Sequence, residues 1–238
     1  MLLNLKELNW SKSDYEKFLT ELESMSDPKY RERAVKIIVT AYPVIGISMS
    51  ELRAIGKEIS QGNPKEFLSI VGTENYEVVI IQAYVISNMK LTLTEFTSYC
   101  DEYLSKSNSW ATCDMVIHFK QVLKYRDEFL NTIKSYLNSD NPWLQRSGLV
   151  FLLKFYNTAG YTDEILELAT SIKSDEYYVQ MGQAWLYAVI FPHDQERIYQ
   201  IIAKEPQSKL AKLTVRKIKS LRHTNDDEKE CLTAIIKK

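Results

Sequence analysis

Four side chains that act through charge or an aromatic face are spaced so that helices could bring them together. Trp110 and Asp114 are four residues apart, which puts an indole ring and a carboxylate on one face of a predicted helix. Arg146 lies near the start of a later helix, and Trp185 lies in the middle of another. If these helices stack in register, the four side chains converge on one concave surface.

Each of these residues also has a plainer interpretation. Tryptophans in helices often only pack in the core, and Arg146 could pair with Asp140 across the preceding loop. Asp114 could be an ordinary surface carboxylate, although its apolar neighbours in WATCDMVIHF make an unneeded charge there unexpected.

A basic stripe follows later in the chain. Seven lysines and arginines, against one glutamate, lie between Lys204 and Arg222. Four of them share one face of a predicted helix, at offsets of 0, 3, 7 and 10 residues: Lys209, Lys212, Arg216 and Lys219. Such a stripe suits the phosphate backbone of a nucleic acid. The alternative is a solvated basic face that the following DDEKE segment balances.

Motifs of several enzyme classes are missing. The sequence has no GxSxG, no glycine-rich phosphate loop, no HExxH and no CxxC, and its three histidines are isolated. The three cysteines are widely spaced, which favours reduced thiols in a cytoplasmic protein. We therefore expect no metal site and no cofactor.

The composition favours helices. The 238 residues carry 30 Lys and Arg against 31 Asp and Glu, and 45% are hydrophobic, the mixture of a soluble globular protein. With only 7 Gly and 6 Pro, the chain is poor in the turn residues that sandwiches and barrels need. It has no apolar run of the roughly 18 residues that a membrane span requires.

Capping boxes predict where several helices begin. A Ser or Thr followed three residues later by Glu occurs at Ser13, Ser48 and Thr92. Residues 74–89 are apolar around much of their circumference and predict a buried helix, although their β-branched residues make a strand the rival. Further helices are predicted near 110–122, 126–137, 141–157, 162–172, 176–190, 194–203, 208–222 and 226–236.

Similar segments begin at Ser139 and Ser174, 35 residues apart, and Trp110 lies 33 residues before Trp143. A period of roughly 33–47 residues is typical of HEAT, armadillo or tetratricopeptide solenoids. Because the links are short, we expect a single domain over residues 1–238.

Three segments, SNSWATCDMV, SDNPWLQRSGLVFLLKFY and VQMGQAWL, give the chain a family resemblance. Over essentially its whole length it resembles the AlkD-type DNA alkylation repair glycosylases, which are built from HEAT-like repeats. The resemblance implies an all-α, C-shaped solenoid that grips double-stranded DNA in a concave basic groove. It matches Trp110 and Asp114 to the S-W-x-x-x-D motif, Arg146 to W-L-Q-R, and Trp185 to a later Q-x-x-x-x-W segment.

The resemblance implies an enzyme that excises cationic N3- and N7-alkylpurines by N-glycosidic hydrolysis, without base flipping. Because a solenoid is complete without a partner, we expect a monomer. Asp114 would stabilise the oxocarbenium sugar and position water, while Trp110 and Trp185 would present aromatic faces to it. Arg146 would hold a phosphate by a forked hydrogen-bond pair, beside the DNA-binding basic stripe. No metal or small-molecule cofactor is implied, and the protein would work in the cytoplasm, with the chromosome of a bacterium.

Residues 31–48 depart from the family pattern. Active members carry a polar and aromatic helix there that reaches the minor groove, whereas residues 37–39 here are Ile-Ile-Val. Ser50 and Ala188 also stand where a proline and a basic residue are common. A second hypothesis is therefore a non-excising paralogue that binds DNA weakly, and a third is a helical-repeat scaffold for protein interactions.

Overall fold

The predicted all-α fold is confirmed. The computed structural model describes residues 3–237, and within them it has fourteen α-helices and no β-strand. The helices are α1 (Lys12–Ser24), α2 (Pro28–Ile37), α3 (Met49–Ile59), α4 (Pro64–Ile70), α5 (Tyr76–Asn88), α6 (Leu93–Ser105), α7 (Trp110–Cys113), α8 (Arg126–Leu137), α9 (Pro142–Phe151), α10 (Thr162–Ser171), α11 (Tyr177–Ile190), α12 (Gln195–Lys204), α13 (Lys209–Lys219) and α14 (Asp226–Ile235). The chain divides into two compact units, Met1–Tyr125 and Arg126–Lys238.

The core of the first unit is built around α5. Every residue of this helix from Tyr76 to Ile86 is buried, so the predicted buried helix is confirmed and the strand alternative is wrong. Its main partner is α3, which packs against it at Gly56. A Cβ atom at Gly56 would lie 2.4 Å from the Cβ of Tyr84, so the two helices approach each other too closely for any other residue.

Two of the three predicted capping boxes are confirmed. The side chains of Ser48 and Thr92 accept from the backbone N–H groups of Glu51 and Glu95, at the starts of α3 and α6. The third prediction is wrong by two residues, because the cap of α1 is Ser11, paired with Asp14, rather than Ser13. Trp10 explains the earlier start, since its ring must reach Phe18 and Phe67 in the core.

The single helix predicted near 110–122 is interrupted. Only Trp110–Cys113 is α-helical, and two 3₁₀ segments follow, Asp114–His118 and Lys120–Lys124, with Phe119 between them. Phe119 is fully buried and packs edge-on against Phe96 and Tyr103, so its side chain anchors the break in the core.

The second unit contains the predicted repeats. Its first six helices form three pairs, α8–α9, α10–α11 and α12–α13, and in each pair the two helices are in contact. The later member of each pair packs on the next, α9 on α11 and α11 on α13. Leu152–Tyr156 extend α9 as a π-helical turn, close to the predicted end at residue 157. This stacking is that of a helical-repeat array.

Candidate functional site

Trp110 and Asp114 share one helical turn, as their spacing predicted. Helix α7 is a single turn, and the hydrogen bond from the backbone N–H of Asp114 to the carbonyl of Trp110 closes it. Both residues are half-buried, whereas the three residues between them are buried. The turn therefore presents the indole ring and the carboxylate towards solvent and its other residues towards the core.

The buried side of this turn rests on Tyr103. The hydroxyl of Tyr103 donates to the carbonyl of Thr112 at 2.8 Å. Burial is the main cause that raises the pKa of Tyr103, and the nearby carboxylate of Asp114 acts in the same direction. The phenol is therefore neutral, and it fixes the backbone beneath Asp114 without competing with its charge.

The indole of Trp110 is tied to α2. Its Nε1–H donates to the carbonyl of Ile37 at 3.3 Å. The helix ends there, because Ile38 takes an extended conformation with φ −87° and ψ 103°. The side chains of Ile37 and Val39 are 62% and 60% exposed, so the segment beside Trp110 offers apolar surface to solvent.

A buried carboxylate holds the chain that follows α2. Glu77 on α5 is 1% exposed, and its two oxygens accept from the backbone N–H groups of Ile45 at 2.9 Å and Gly46 at 2.7 Å. Gly46 has φ +98°, and a Cβ there would lie 2.5 Å from the Cβ of Arg31 on α2. No local pattern in the sequence marks Glu77 as a functional residue, because only the folded chain brings it to residues 45–47.

Arg146 lies in the second unit and is 6% exposed. Its Nη1 donates to the carbonyl of Tyr178 at 2.8 Å, and its Cζ lies 6.0 Å from the centroid of the Tyr178 ring. The same ring packs against Trp143, with the centroids 5.2 Å apart. In this structure the guanidinium therefore helps to join the start of α11 to α9.

Trp185 is half-buried on α11, and a lysine covers one face of its ring. The Nζ of Lys217 lies 5.3 Å from the ring centroid, a cation–π contact between α13 and α11. Lys217 is one of the seven cations between Lys204 and Arg222, and the sequence alone assigns it no role. Its offset of eight residues from Lys209 places it off the basic stripe, on the side of α13 that contacts α11.

The predicted basic stripe is exposed along α13. Lys209, Lys212, Arg216 and Lys219 are all exposed, and the opposite face of the helix is buried. Two of them have contacts within the unit: Lys209 Nζ lies 5.3 Å from the Tyr177 ring centroid, and Lys219 Nζ donates to the Thr233 hydroxyl at 2.9 Å. For the central pair, Lys212 and Arg216, the structure of residues 3–237 shows no such contact.

The described residues contain neither a candidate metal cluster nor a candidate membrane span. Across residues 3–237, no cluster of three or more His, Cys, Asp or Glu side chains could hold a metal ion. Over the same residues, no helix has the length and apolarity needed to cross a membrane.

Comparison with known families agrees with the motifs. A family model described as DNA alkylation repair enzyme matches residues 18–218, which include Trp110, Asp114, Arg146, Trp185 and the first three residues of the basic stripe, Lys209, Lys212 and Arg216. A search of curated proteins gives no significant match. The match extends over most of the chain and both units, and its family description supports a role in the repair of alkylated DNA. The chain therefore belongs to the DNA alkylation repair enzyme family.

Proposed function

We propose that this protein is a DNA glycosylase that hydrolyses the N-glycosidic bond of cationic N3- and N7-alkylpurines in duplex DNA without flipping the base. The observation that carries the proposal is the turn on which Trp110 and Asp114 lie together, half-buried and facing solvent. Trp185 and Arg146 complete the set expected from the family resemblance, and membership of the repair family supports alkylated DNA as the substrate.

The chemistry needs little more than a fixed negative charge. An alkylated purine is already cationic, so the C1′–N bond breaks with its electron pair passing to the ring, and the base leaves neutral. Positive charge then develops on the deoxyribose, where the Asp114 carboxylate stabilises it. Water adds to C1′ and releases its proton to solvent. The indole face of Trp110, on the same turn, favours the cationic sugar, and Trp185 in the second unit is proposed to present its aromatic face to the bound DNA.

We propose that the central pair of the basic stripe, Lys212 and Arg216, provides most of the phosphate binding. Lys212 and Arg216 are exposed on one face of α13, at the spacing that lets both reach a backbone. Arg146 also has a proposed phosphate contact, but because it is 6% exposed, DNA binding there requires neighbouring side chains to move. We propose that the protein acts as a monomer.

The test is release of 7-methylguanine and 3-methyladenine from methylated duplex DNA. Asp114→Asn keeps the shape of the side chain and removes its charge, so we expect the rate to fall about 100-fold or more. Glu16→Gln, which removes an exposed carboxylate from α1, is the matched control and keeps the wild-type rate. Equal rates for wild type and Asp114→Asn, with both proteins folded, would refute the proposed role of Asp114.

A second candidate is a non-excising paralogue that binds DNA weakly. The exposed apolar side chains of Ile37 and Val39 favour it, because they stand where active relatives are expected to present polar contacts. This candidate predicts DNA binding with no base release from the wild type. Its binding would weaken steeply with salt, and Lys212→Ser or Arg216→Ser would each reduce the log–log salt slope by about 0.9. Lys154→Ser, an exposed lysine of the same unit, is the control.

A further inference from the structure

The second unit contains a cavity that shares one residue, Lys209, with the basic stripe of the proposed DNA site. Its volume is about 770 Å³, within the range of about 300–1,000 Å³ usual for small-molecule sites. It lies among α11, α12, α13 and the loop between α10 and α11. Gln180, Gln183 and Tyr187 of α11 line it at i, i+3 and i+7, on the face of the helix opposite Trp185.

Gln180 is the first sign that the cavity is built for a ligand. The residue is 8% exposed, and its Nε2 donates to the carbonyl of Ser174 at 2.9 Å, which fixes the orientation of the amide. The Oε1 on the other side is buried and has no hydrogen-bond partner among the described residues. An unpaired buried acceptor is destabilising, and a ligand that donates a hydrogen bond to it would recover that cost.

Tyr187 is the second sign. Its side chain is buried in the cavity wall, and desolvation alone raises its pKa, with no contribution from a hydrogen bond. No hydrogen bond of its hydroxyl is found within residues 3–237. The inner wall therefore carries the Tyr187 hydroxyl and, buried just beneath the surface, the Gln180 Oε1 acceptor, both without a partner among the described residues.

The rim of the cavity favours a single anionic group. Ser208 caps α13, and the backbone N–H groups of Lys209 and Leu210, which have no acceptor within the helix, lie at this end of the cavity. Lys173, Lys204 and Lys209 bring three positive charges, and two carboxylates, Asp175 and Glu205, oppose them. Three cations against two carboxylates suit one phosphate better than a di- or triphosphate.

Part of the cavity lining is apolar. Ile201 and Ile202 of α12 and Leu210 of α13 contribute aliphatic side chains to it. A flat heterocycle fits against these side chains, and its amino or ring N–H groups would pair with Gln180 Oε1 once a small movement of the amide opens that buried atom to the cavity. We propose that this cavity binds a nucleoside 5′-monophosphate, with the phosphate at the start of α13 and the base against Gln180 and Tyr187.

Titration calorimetry with the four nucleoside monophosphates, inorganic phosphate and adenosine tests the assignment. We expect at least one nucleotide to bind with a dissociation constant below about 1 mM, and at least about tenfold more tightly than phosphate or adenosine alone. Failure of every nucleotide to bind would overturn the proposal. Phosphate binding as tightly as the nucleotides would also overturn it, since the base would then contribute nothing.

Three variants locate the binding. Tyr187→Phe removes only a hydroxyl without a partner, so the fold stays intact and nucleotide affinity falls about three- to tenfold. Lys209→Ser weakens both the nucleotide and inorganic phosphate, whereas Lys154→Ser, outside the cavity, changes neither. Nucleotide affinity unchanged in both Tyr187→Phe and Lys209→Ser would show that the ligand binds elsewhere and would refute the site.

Discussion

Replacing Glu77 with Gln tests how the segment beside Trp110 is held in place. The carboxylate accepts from Gly46 N at 2.7 Å, Ile45 N at 2.9 Å and Ile47 N at 3.4 Å, and it is 1% exposed. Glutamine has the same shape but only one acceptor oxygen. If that oxygen stays on Gly46, the NH₂ group of the amide faces the N–H of Ile45, and two donors then oppose each other.

The cost follows from these two bonds. Hydrogen bonds to a charged group contribute about 1.5–3 kcal/mol and neutral ones about 0.5–1.5 kcal/mol, so the retained bond loses about 1 kcal/mol. The unpaired N–H of Ile45 costs a further 1–3 kcal/mol, approximately. We therefore expect Glu77→Gln to lower the free energy of unfolding by about 2–4 kcal/mol.

Urea denaturation followed by circular dichroism measures this loss. Glu32→Gln is the control, because Glu32 forms only an exposed ion pair with Lys36, whose loss costs at most about 1 kcal/mol. A second readout is the indole Nε1–H resonance of Trp110, which should shift as the end of α2 loosens around the Ile37 carbonyl. A free energy of unfolding within about 0.5 kcal/mol of the wild type would refute the reasoning.

Three further outcomes follow from particular contacts. Gly56→Ala should lower the free energy of unfolding by about 1–3 kcal/mol in urea denaturation, because the new Cβ atom would lie 2.4 Å from the Cβ of Tyr84. Gly160→Ala is the control: a Cβ atom there would have no neighbouring atom within 4 Å, so the change should be neutral or slightly stabilising. Lys217→Met should shift the indole resonance of Trp185 and leave that of the buried Trp10 unchanged, and two unmoved resonances would argue against the cation–π contact. The hydrogen bond from Lys65, with those from Thr92, lowers the pKa of Glu95 to about 2 from an ordinary 4.5. Its contribution to stability is therefore complete above pH 4.5 and lost as the pH falls towards 2, and Lys65→Met should raise this pKa, measured by the NMR shift of the side-chain carboxyl against pH.

Local signals predicted most of the helices. The Ser48–Glu51 and Thr92–Glu95 boxes are interactions between near neighbours, so their residue types are enough to place the starts of α3 and α6. The 35-residue offset between the segments at Ser139 and Ser174 is reproduced by the starts of α9 and α11, at Pro142 and Tyr177. A repeat can be recognised from the sequence in this way because each copy makes the same helix–helix contacts and so needs apolar residues at the same positions.

The parts that sequence reasoning missed depend on distant contacts. Ser11 displaced Ser13 as the cap of α1 because Trp10 packs on Phe67, 57 residues away in the chain. The interruption between the two 3₁₀ segments lies where Phe119 enters the core, and the periodicity of the sequence does not predict it. Lys217 was visible as a charge, but its contact with Trp185 needs the packing of α13 on α11.

The divergent residues 31–48 and the proposed catalytic turn are physically connected rather than separate variations. Trp110 donates to the main-chain carbonyl of Ile37, so the side chains at 37–39 can change from polar to apolar without disturbing that bond. The backbone of the same region is fixed independently, through Gly46 and Glu77. The side chains at 37–39 can therefore change what this surface presents to solvent without displacing Trp110. Restoring polar side chains at Ile37 and Val39 should accordingly alter DNA affinity and base release without moving the indole resonance of Trp110, and a displaced indole would show that the apolar side chains themselves position the ring.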